Sequence, residues 1–268
     1  MKISFIGGGN MARAIIGGLK NDGFDTTAIT VLELDAEKRQ QLNHEFGVQS
    51  TDDYDDISHT NVIVLAIKPQ QLKAVCQQLA GSIKNQLVIS IAAGIRTVDI
   101  ASWLNNHQAI VRVMPNTPAQ IQAGVSALYA LETVSTIQRE QASIILAAVG
   151  KTLWLNDESK MDAVTAISGS GPAYVFYLIE ALQEAGVSLG LTVDEAAMLA
   201  LQTFKGSSLL AASSAVDVKA LRAQVTSKGG TTEQGILSLE NADIKKIMRK
   251  AAQAAADKSK SLGNALAK

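Results

Sequence analysis

The chain has 268 residues, 47% of them hydrophobic, enough to bury a large core and to divide it between two domains. A net charge of -1 without any long Lys/Arg run lacks the electrostatic footprint of a nucleic-acid binder. Cys76 is the single cysteine, which excludes an internal disulfide and any multi-cysteine metal centre and fits a reducing compartment.

Ile3, Phe5 and Ile6 read as a short buried strand that Gly7, Gly8 and Gly9 end abruptly. A helix follows, with Met11, Ala14, Ile15, Gly18 and Leu19 on one face at spacings of three and four. The pattern Gly7-x-Gly9-x-x-Ala12 suits a turn that carries a pyrophosphate. Gly7 allows the tight turn, Gly9 lets phosphates approach the backbone, and Ala12 permits close packing of helix on strand. Open N–H groups at the helix start would hold the phosphates. A glycine triplet alone is equally a plain tight turn, so context decides. Residues 28–32 read as a second buried strand with Glu33 at its end. That places a carboxylate about twenty residues beyond Ala12, where it would accept hydrogen bonds from a ribose 2′-hydroxyl. Dinucleotide binding is the leading reading. The first residues, with one lysine, a short apolar strand and then glycines, read as neither a signal peptide nor a membrane span, and a cytoplasmic location is expected.

Residues 35–46 read as a polar helix, and residues 61–67 as an almost unbroken apolar strand of the kind covered on both faces. After Pro69 comes a helix over residues 70–79, then strands at 86–92 and 109–114, the last ending in Pro115-Asn116-Thr117-Pro118. This βαβα order implies a parallel sheet with right-handed crossovers, whose ligands sit beyond the carboxyl ends of the strands. Lys68, Pro69, Ala92, Ala93 and Gly94 occupy that edge, and Asn116 offers an amide there. Residues 125–130 and 152–155 would extend the sheet around a helix at 135–149. Cys76 reads as a small apolar helix residue. His44, His59 and His107 read as solvated side chains without metal-ligand spacing, so no metal is assigned.

From Lys160 onward the chain reads as helix almost throughout, a second, all-helical domain. Residues 181–189 and 196–204 are apolar on more than one face, which points to burial against a second copy of the chain. The last helix, residues 243–266, carries Ile244, Ile247, Met248, Ala251 and Ala255 on one face, with Asn241 as its cap. Two loops stand out in this half. Ser168-Gly169-Ser170-Gly171-Pro172 precedes a helix beginning near Pro172, and its N–H groups are expected to point at the cofactor edge. Thr226-Ser227-Lys228-Gly229-Gly230-Thr231-Thr232 sets hydroxyls on both sides of two glycines. Its backbone N–H groups, with the Ser227, Thr231 and Thr232 hydroxyls, would hold a carboxylate without a bidentate arginine; ordinary helix capping is the alternative.

Taken together, the chain resembles pyrroline-5-carboxylate reductase, the last enzyme of proline biosynthesis. The resemblance covers essentially the whole length. It rests on Phe5-Ile6-Gly7-Gly8-Gly9-Asn10-Met11-Ala12, Ala66-Ile67-Lys68-Pro69-Gln70, Ala92-Ala93-Gly94, Met114-Pro115-Asn116-Thr117-Pro118-Ala119, Ser168-Gly169-Ser170-Gly171-Pro172-Ala173-Tyr174 and Gly229-Gly230-Thr231-Thr232. It implies a Rossmann-like, mostly parallel sheet domain over residues 1–158 and a helical dimerisation and substrate domain over residues 159–268. The first three sets would contact NAD(P)H, and the last loop would bind the carboxylate of 1-pyrroline-5-carboxylate across a dimer interface. Family members often assemble further into decamers. The implied reaction is hydride transfer from nicotinamide C4 to the imine carbon. Thr232 is the candidate for the hydrogen bond that assists protonation of the imine nitrogen, with Ser227, Gly229, Gly230 and Thr231 fixing the carboxylate.

Two departures matter. The family usually has proline where this chain has Lys228. NADPH-using members tend to carry a small polar residue followed by Arg or Ser after the second strand, whereas here Glu33-Leu34 stands. A carboxylate repels a 2′-phosphate, so NADH is expected to be used at least as well as NADPH, with Lys38 and Arg39 as the residues that could reverse this. A rival is a hydroxyacid dehydrogenase of similar architecture. It would need a general base, commonly lysine, early in the first interdomain helix, and residues 173–184 contain neither lysine nor histidine. A dinucleotide-sensing module without turnover would not require the second glycine loop.

Overall fold

The computed structural model describes residues 1–57 and 59–267. Its first part alternates strand and helix: β1 (Ile3–Ile6), α1 (Asn10–Asn21), β2 (Ile29–Leu32), α2 (Ala36–Phe46), β3 (Gln49–Thr51), β4 (Val62–Leu65) and α3 (Pro69–Leu79). There follow β5 (Leu87–Ser90), α4 (Thr97–Trp103), β6 (Ile110–Met114), β7 (Gly124–Ala130), α5 (Thr136–Ala147) and β8 (Gly150–Trp154). These strands make one eight-stranded sheet in the order β3-β2-β1-β4-β5-β6-β7-β8. Strands β1 to β6 are parallel, β7 runs antiparallel to β6, and β8 lies parallel to β7. The sheet is therefore Rossmann-like and mostly parallel, as expected. Chain order reverses between β1 and β4, where an open sheet leaves a crevice beyond its strand ends.

β1, β4 and β5 are buried at every position because helices cover both sheet faces. Alternation along β1 sends Ile3 and Phe5 to one face, against Ile15, Ile16 and Leu19, and Ile6 to the other, with Leu72, Cys76 and Leu79. β3 and α4 escape a periodicity reading. β3 is a three-residue edge strand held by its register with β2, and α4 spans only seven residues. Buried Arg112 on β6 donates to Glu158 Oε1 at 2.9 Å, and the same carboxylate accepts from the Thr97 N–H and hydroxyl at 2.8 and 2.7 Å. Both Glu158 oxygens are thus hydrogen-bonded, which helps a buried Arg112 charge to be tolerated.

The later elements are α6 (Met161–Val164), a π-helical turn (Thr165–Gly169), α7 (Gly171–Ser188), α8 (Val193–Ser213), α9 (Val218–Gln224), α10 (Thr231–Asn241) and α11 (Ile244–Leu266). The chain forms two compact units, Met1–Ser170 with the stretch from Ala254 onward, and Gly171–Gln253. That division is not a cut after residue 158. α6, the π-turn and the end of α11 belong with the sheet, where Ser259 Oγ donates to Asp162 Oδ1 at 2.6 Å. Gly263 also lies so close to Gly94 that a Cβ on Gly263 would meet the Gly94 carbonyl oxygen at 2.2 Å.

The stretch 168–172 is helical rather than an open loop. The Ser170 N–H donates to the Thr165 carbonyl at 2.8 Å, so it does not serve a ligand. Asn241 ends α10 instead of capping α11. Asp243, at φ 56°, stands before Ile244, and its carbonyl accepts from the Lys246 and Ile247 N–H groups.

In the second unit α7 and α8 pack together, yet α7 has no buried residue and α8 only Ala196 and Ala200. Phe176 is 64% exposed, Tyr177 70% and Leu189 85%, more apolar surface than a soluble chain leaves uncovered.

Cys76 is buried and its thiol is pushed up to about 12 by desolvation, so it is packing material and not a nucleophile. His107 departs from the expected solvated position. It is half-buried with Nε2 2.9 Å from the Gln86 carbonyl, and burial holds its pKa below the ordinary 6.5. Folding therefore favours its neutral form. Its stabilising share is complete above pH 6.5 and is lost as pH falls from 6.5 through the folded value. Thermal midpoints measured from about pH 7.5 down to about pH 5 should decline, and His107→Gln should flatten that decline. An identical slope in the variant would remove His107 as its cause.

Candidate active site

β1 runs straight into Gly7, whose N–H donates to the Leu32 carbonyl at 2.8 Å and whose φ of 96° suits glycine. A Cβ there would meet Ala66 O and Ile67 Cγ2 at 2.8 Å, so the turn passes directly beneath the chain leaving β4. Gly8 is confined too, by Leu42 Cδ1 at 2.6 Å. Gly9 differs. Its φ of -72° and ψ of -179° suit any residue, and a Cβ would meet nothing within 4 Å. Among the described residues no atom demands glycine at that point; the missing side chain leaves room for a ligand.

α1 begins there with no side-chain cap and no acid in its first turn, and α3 begins at Lys68 and Pro69 in the same condition. The first-turn N–H groups of α1 are orphaned donors with partial positive charge; α3, where Pro69 has no N–H and the Gln71 N–H donates to the Lys68 carbonyl at 2.9 Å, adds that of Gln70, and Lys68 adds a full charge. This donor set fits a pyrophosphate.

Two hollows flank the turn. The first, of about 370 Å³, gathers Gly7, Gly8, Gly9, Glu33, Ala66, Ile67 and Lys68 from the expected cofactor residues. The second, of about 330 Å³, adds Asn10, Met11 and Asn116, beside Ile91, Met114 and Gly169. Ala93 and Gly94 line a third, of about 270 Å³, with Ser170 and Lys258. Ala12 and Ala92 are buried in the core, and Pro69 starts α3; they line none of these three spaces. Sequence reasoning missed Tyr54, Val75 and Gln71 in the first hollow. The signal for Tyr54 was an isolated aromatic within the acidic stretch 52–56. Burial raises its phenol pKa, so it stays neutral. With Leu34 and Val75 it supplies apolar walls suited to a flat base.

Both Glu33 oxygens are engaged. Oε2 accepts from the Gly8 N–H at 3.0 Å and Oε1 from the Asp35 N–H at 3.1 Å. Arg39 is turned to other work, donating to the Glu33 and Leu34 carbonyls at 2.7 and 3.0 Å and pairing with Asp52 at 2.9 Å. Lys38 does line the hollow, 3.7 Å from Asp35. Asn116 Oδ1 accepts from the Val125 N–H at 2.9 Å, which leaves its amide nitrogen to face the second hollow. A larger groove, of about 560 Å³, lies against the flank of α1, but its charged groups answer one another. Arg13 pairs with Glu45, Lys20 Nζ donates to the Glu45 carbonyl at 2.8 Å, and Asn21 donates to Gln122 at 3.0 Å. Size alone does not make it the site.

In the second unit, Gly229 takes φ 75° and Gly230 stands as the N-cap of α10. The turn is as tight as its glycines imply, since a Cβ on Gly230 would meet Ser227 Oγ at 2.6 Å. Neither glycine N–H is open. Gly230 donates to the Ser227 carbonyl at 3.0 Å, and Gly229 to Glu233 Oε2 at 2.7 Å. The donors left for an anion are the first-turn N–H groups of Thr231 and Thr232 with their exposed hydroxyls. Lys228 is exposed beside them.

Comparison with known proteins matches residues 158–262 to a family model described as pyrroline-5-carboxylate reductase dimerisation. Residues 2–94 match one described as NADP oxidoreductase, coenzyme F420-dependent. The chain is 44% identical over 267 residues to a pyrroline-5-carboxylate reductase of Pseudomonas aeruginosa, covering 99% of this chain and 98% of that one. A pyrroline-5-carboxylate reductase structure from Coxiella burnetii superposes with a TM-score of 0.93 at 43% identity, covering 97% of this chain and 98% of that one. A Plasmodium falciparum pyrroline carboxylate reductase structure with NADP bound gives a TM-score of 0.88 at 30% identity, covering 98% of each chain.

Gly9→Ala separates ligand space from fold. The variant should keep its thermal midpoint, because the added methyl meets no protein atom, while NADH binding read by fluorescence titration weakens by about tenfold or more. Unchanged binding would show that the space beside Gly9 is not used.

Proposed function

The chain belongs to the pyrroline-5-carboxylate reductase family, and from that premise we propose how its residues share the work. The protein is an NAD(P)H-dependent oxidoreductase that reduces the imine of 1-pyrroline-5-carboxylate to give L-proline. In the proposed division, Gly7 and Gly8 shape the turn for the cofactor, and Gly9, Asn10 and Met11 with Lys68 hold the pyrophosphate. Glu33 takes the ribose of the adenosine, and Leu34, Tyr54 and Val75 flank its base. Ala66, Ile67, Asn116 and the turn Ala92-Ala93-Gly94 bound the nicotinamide side, with Ala12 and Pro69 behind the two helix starts. The observation that carries this is the open space at Gly9 between two uncapped helix N-termini. When bound, the reduced nicotinamide supplies the hydride for the imine carbon.

The substrate's carboxylate is assigned to the loop around Ser227, Gly229, Gly230, Thr231 and Thr232, acting across a dimer interface. Supporting this are the uncapped start of α10 and the hydroxyls beside it. Thr232 is proposed to hydrogen-bond the imine nitrogen, which orients the ring and assists its protonation by water. Thr232→Ala should lower kcat by about a hundredfold with little change in NADH affinity. Unchanged turnover would exclude the hydroxyl from catalysis.

NADH is proposed to serve at least as well as NADPH. Glu33 is fixed by two backbone N–H groups and Arg39 is turned to carbonyls and Asp52, so a 2′-phosphate meets a carboxylate with only Lys38 near it. Glu33→Gln keeps an acceptor for Gly8 and loses the charge, and should raise NADPH use relative to NADH by about fivefold or more. A strong NADPH preference in the unmodified enzyme would overturn the proposal. The dimerisation region matched over residues 158–262 accords with the exposed apolar faces of α7 and α8. We infer that a second copy covers them, with decamers as the further assembly, and that the enzyme works in the cytoplasm. Sedimentation showing a stable monomer at working concentration would remove the first inference.

A further inference from the structure

The amide of Gly229 is the one donor of the second-unit loop that a charged side chain already holds. Glu233, the third residue of α10, folds back so that Oε2 accepts from the Gly229 N–H at 2.7 Å. Gly230 is tied within the turn through its bond to the Ser227 carbonyl. A carboxylate arriving at the Thr231 and Thr232 N–H groups therefore meets a negative charge held at the Gly229 amide, two residues before the first of them. We propose that the Glu233 carboxylate occupies, at the Gly229 amide, a place that the substrate's carboxylate takes on binding, and so sets the loop's affinity for anions. This rests on the assignment of the loop as the substrate's carboxylate site.

Chemistry favours exchange over mere crowding. Glu233 is half-exposed, so its carboxylate has water to turn into. Gly229 has nothing within 4 Å of a Cβ position, so a group can approach the glycine on the side where a side chain would stand. The two carboxylates are alternative acceptors for a single donor, and the donor stays satisfied in both states. Glu233 thereby keeps the loop ordered when no substrate is present and discriminates against weak anions, because any ligand must do better than the residue it displaces.

Steady-state kinetics of Glu233→Ala and Glu233→Gln at saturating NADH test this, with competitive inhibition by L-proline and by L-prolinamide, which keeps the ring ammonium but has a neutral amide in place of the carboxylate. Glu233→Ala should lower KM for 1-pyrroline-5-carboxylate and Ki for L-proline by about fivefold, the size of one repulsion between nearby charges in water, with kcat unchanged. Inhibition by L-prolinamide, which has no carboxylate to compete with Glu233, should not tighten. Glu233→Gln keeps an acceptor for Gly229, and with it the order of the helix start, and should move KM in the same direction. A KM unchanged or raised in both variants overturns the inference, as does an equal gain for L-prolinamide. Thr231→Val tests the loop separately. If it raises KM while the Glu233 variants fail to lower it, the loop binds substrate and only the role of Glu233 falls; if it too leaves KM unchanged, the loop assignment falls with it.

Discussion

The hydrogen bond from the Gly8 N–H to Glu33 Oε2 ties the turn after β1 to the end of β2, and much else follows from that tie. It holds the glycine turn flush against the sheet edge, with Gly7 beneath the Ala66 carbonyl where no side chain fits. Because the turn lies that low, α1 starts at the rim and not above it. Its orphaned N–H groups then share one hollow with Lys68 and the mouth of the crevice. A longer residue at Gly7 or Gly8 would lift the turn and part these donors. The same tie holds the Glu33 charge at the wall of the first hollow, so one contact sets both the shape of that hollow and its sign.

Glu33, Glu158 and Glu233 repeat one device. Each carboxylate accepts a backbone N–H at a place where the chain turns: Gly8, Thr97 and Gly229. Charge-assisted bonds of this kind are stronger than neutral ones and pin a turn without the bulk of an apolar side chain. The settings differ. Glu158 is answered by buried Arg112 and holds the start of α4 to β6, a structural task. Glu33 and Glu233 face glycine-rich turns with open space beside them, where the same bond also leaves a negative charge at the turn.

The two units rely on different sources of stability. The sheet unit buries its strands between two apolar layers and needs nothing further to explain its order. The helical unit pairs α7 with α8 but leaves Phe176, Tyr177 and Leu189 largely uncovered. Apolar surface on that scale is a driving force for association. The Gly94–Gly263 approach and the Ser259–Asp162 bond place the end of α11 with the sheet, although the helix begins in the other unit. One helix is thus shared by both units.

Local pattern alone carried the strand–turn–helix at Gly7-x-Gly9-x-x-Ala12, the place of Glu33, the alternation that makes a parallel sheet and the switch to helix near Lys160. Each depends on periodicity or on a backbone position that few residues can adopt, and both are written in consecutive residues. The edge strand β3, the short α4, the half-burial of His107 and the π-turn at residues 165–169 depended on neighbours distant in sequence. So did the accounting of donors. The run Ser168-Gly169-Ser170-Gly171 and the run Gly229-Gly230 look equally open on paper, yet the first spends its Ser170 N–H inside a helix and the second is held by Glu233. Sequence determined which residues could bind an anion; only the tertiary structure decided which of their N–H groups are still unspent, because a donor's partner is fixed by geometry and not by residue type.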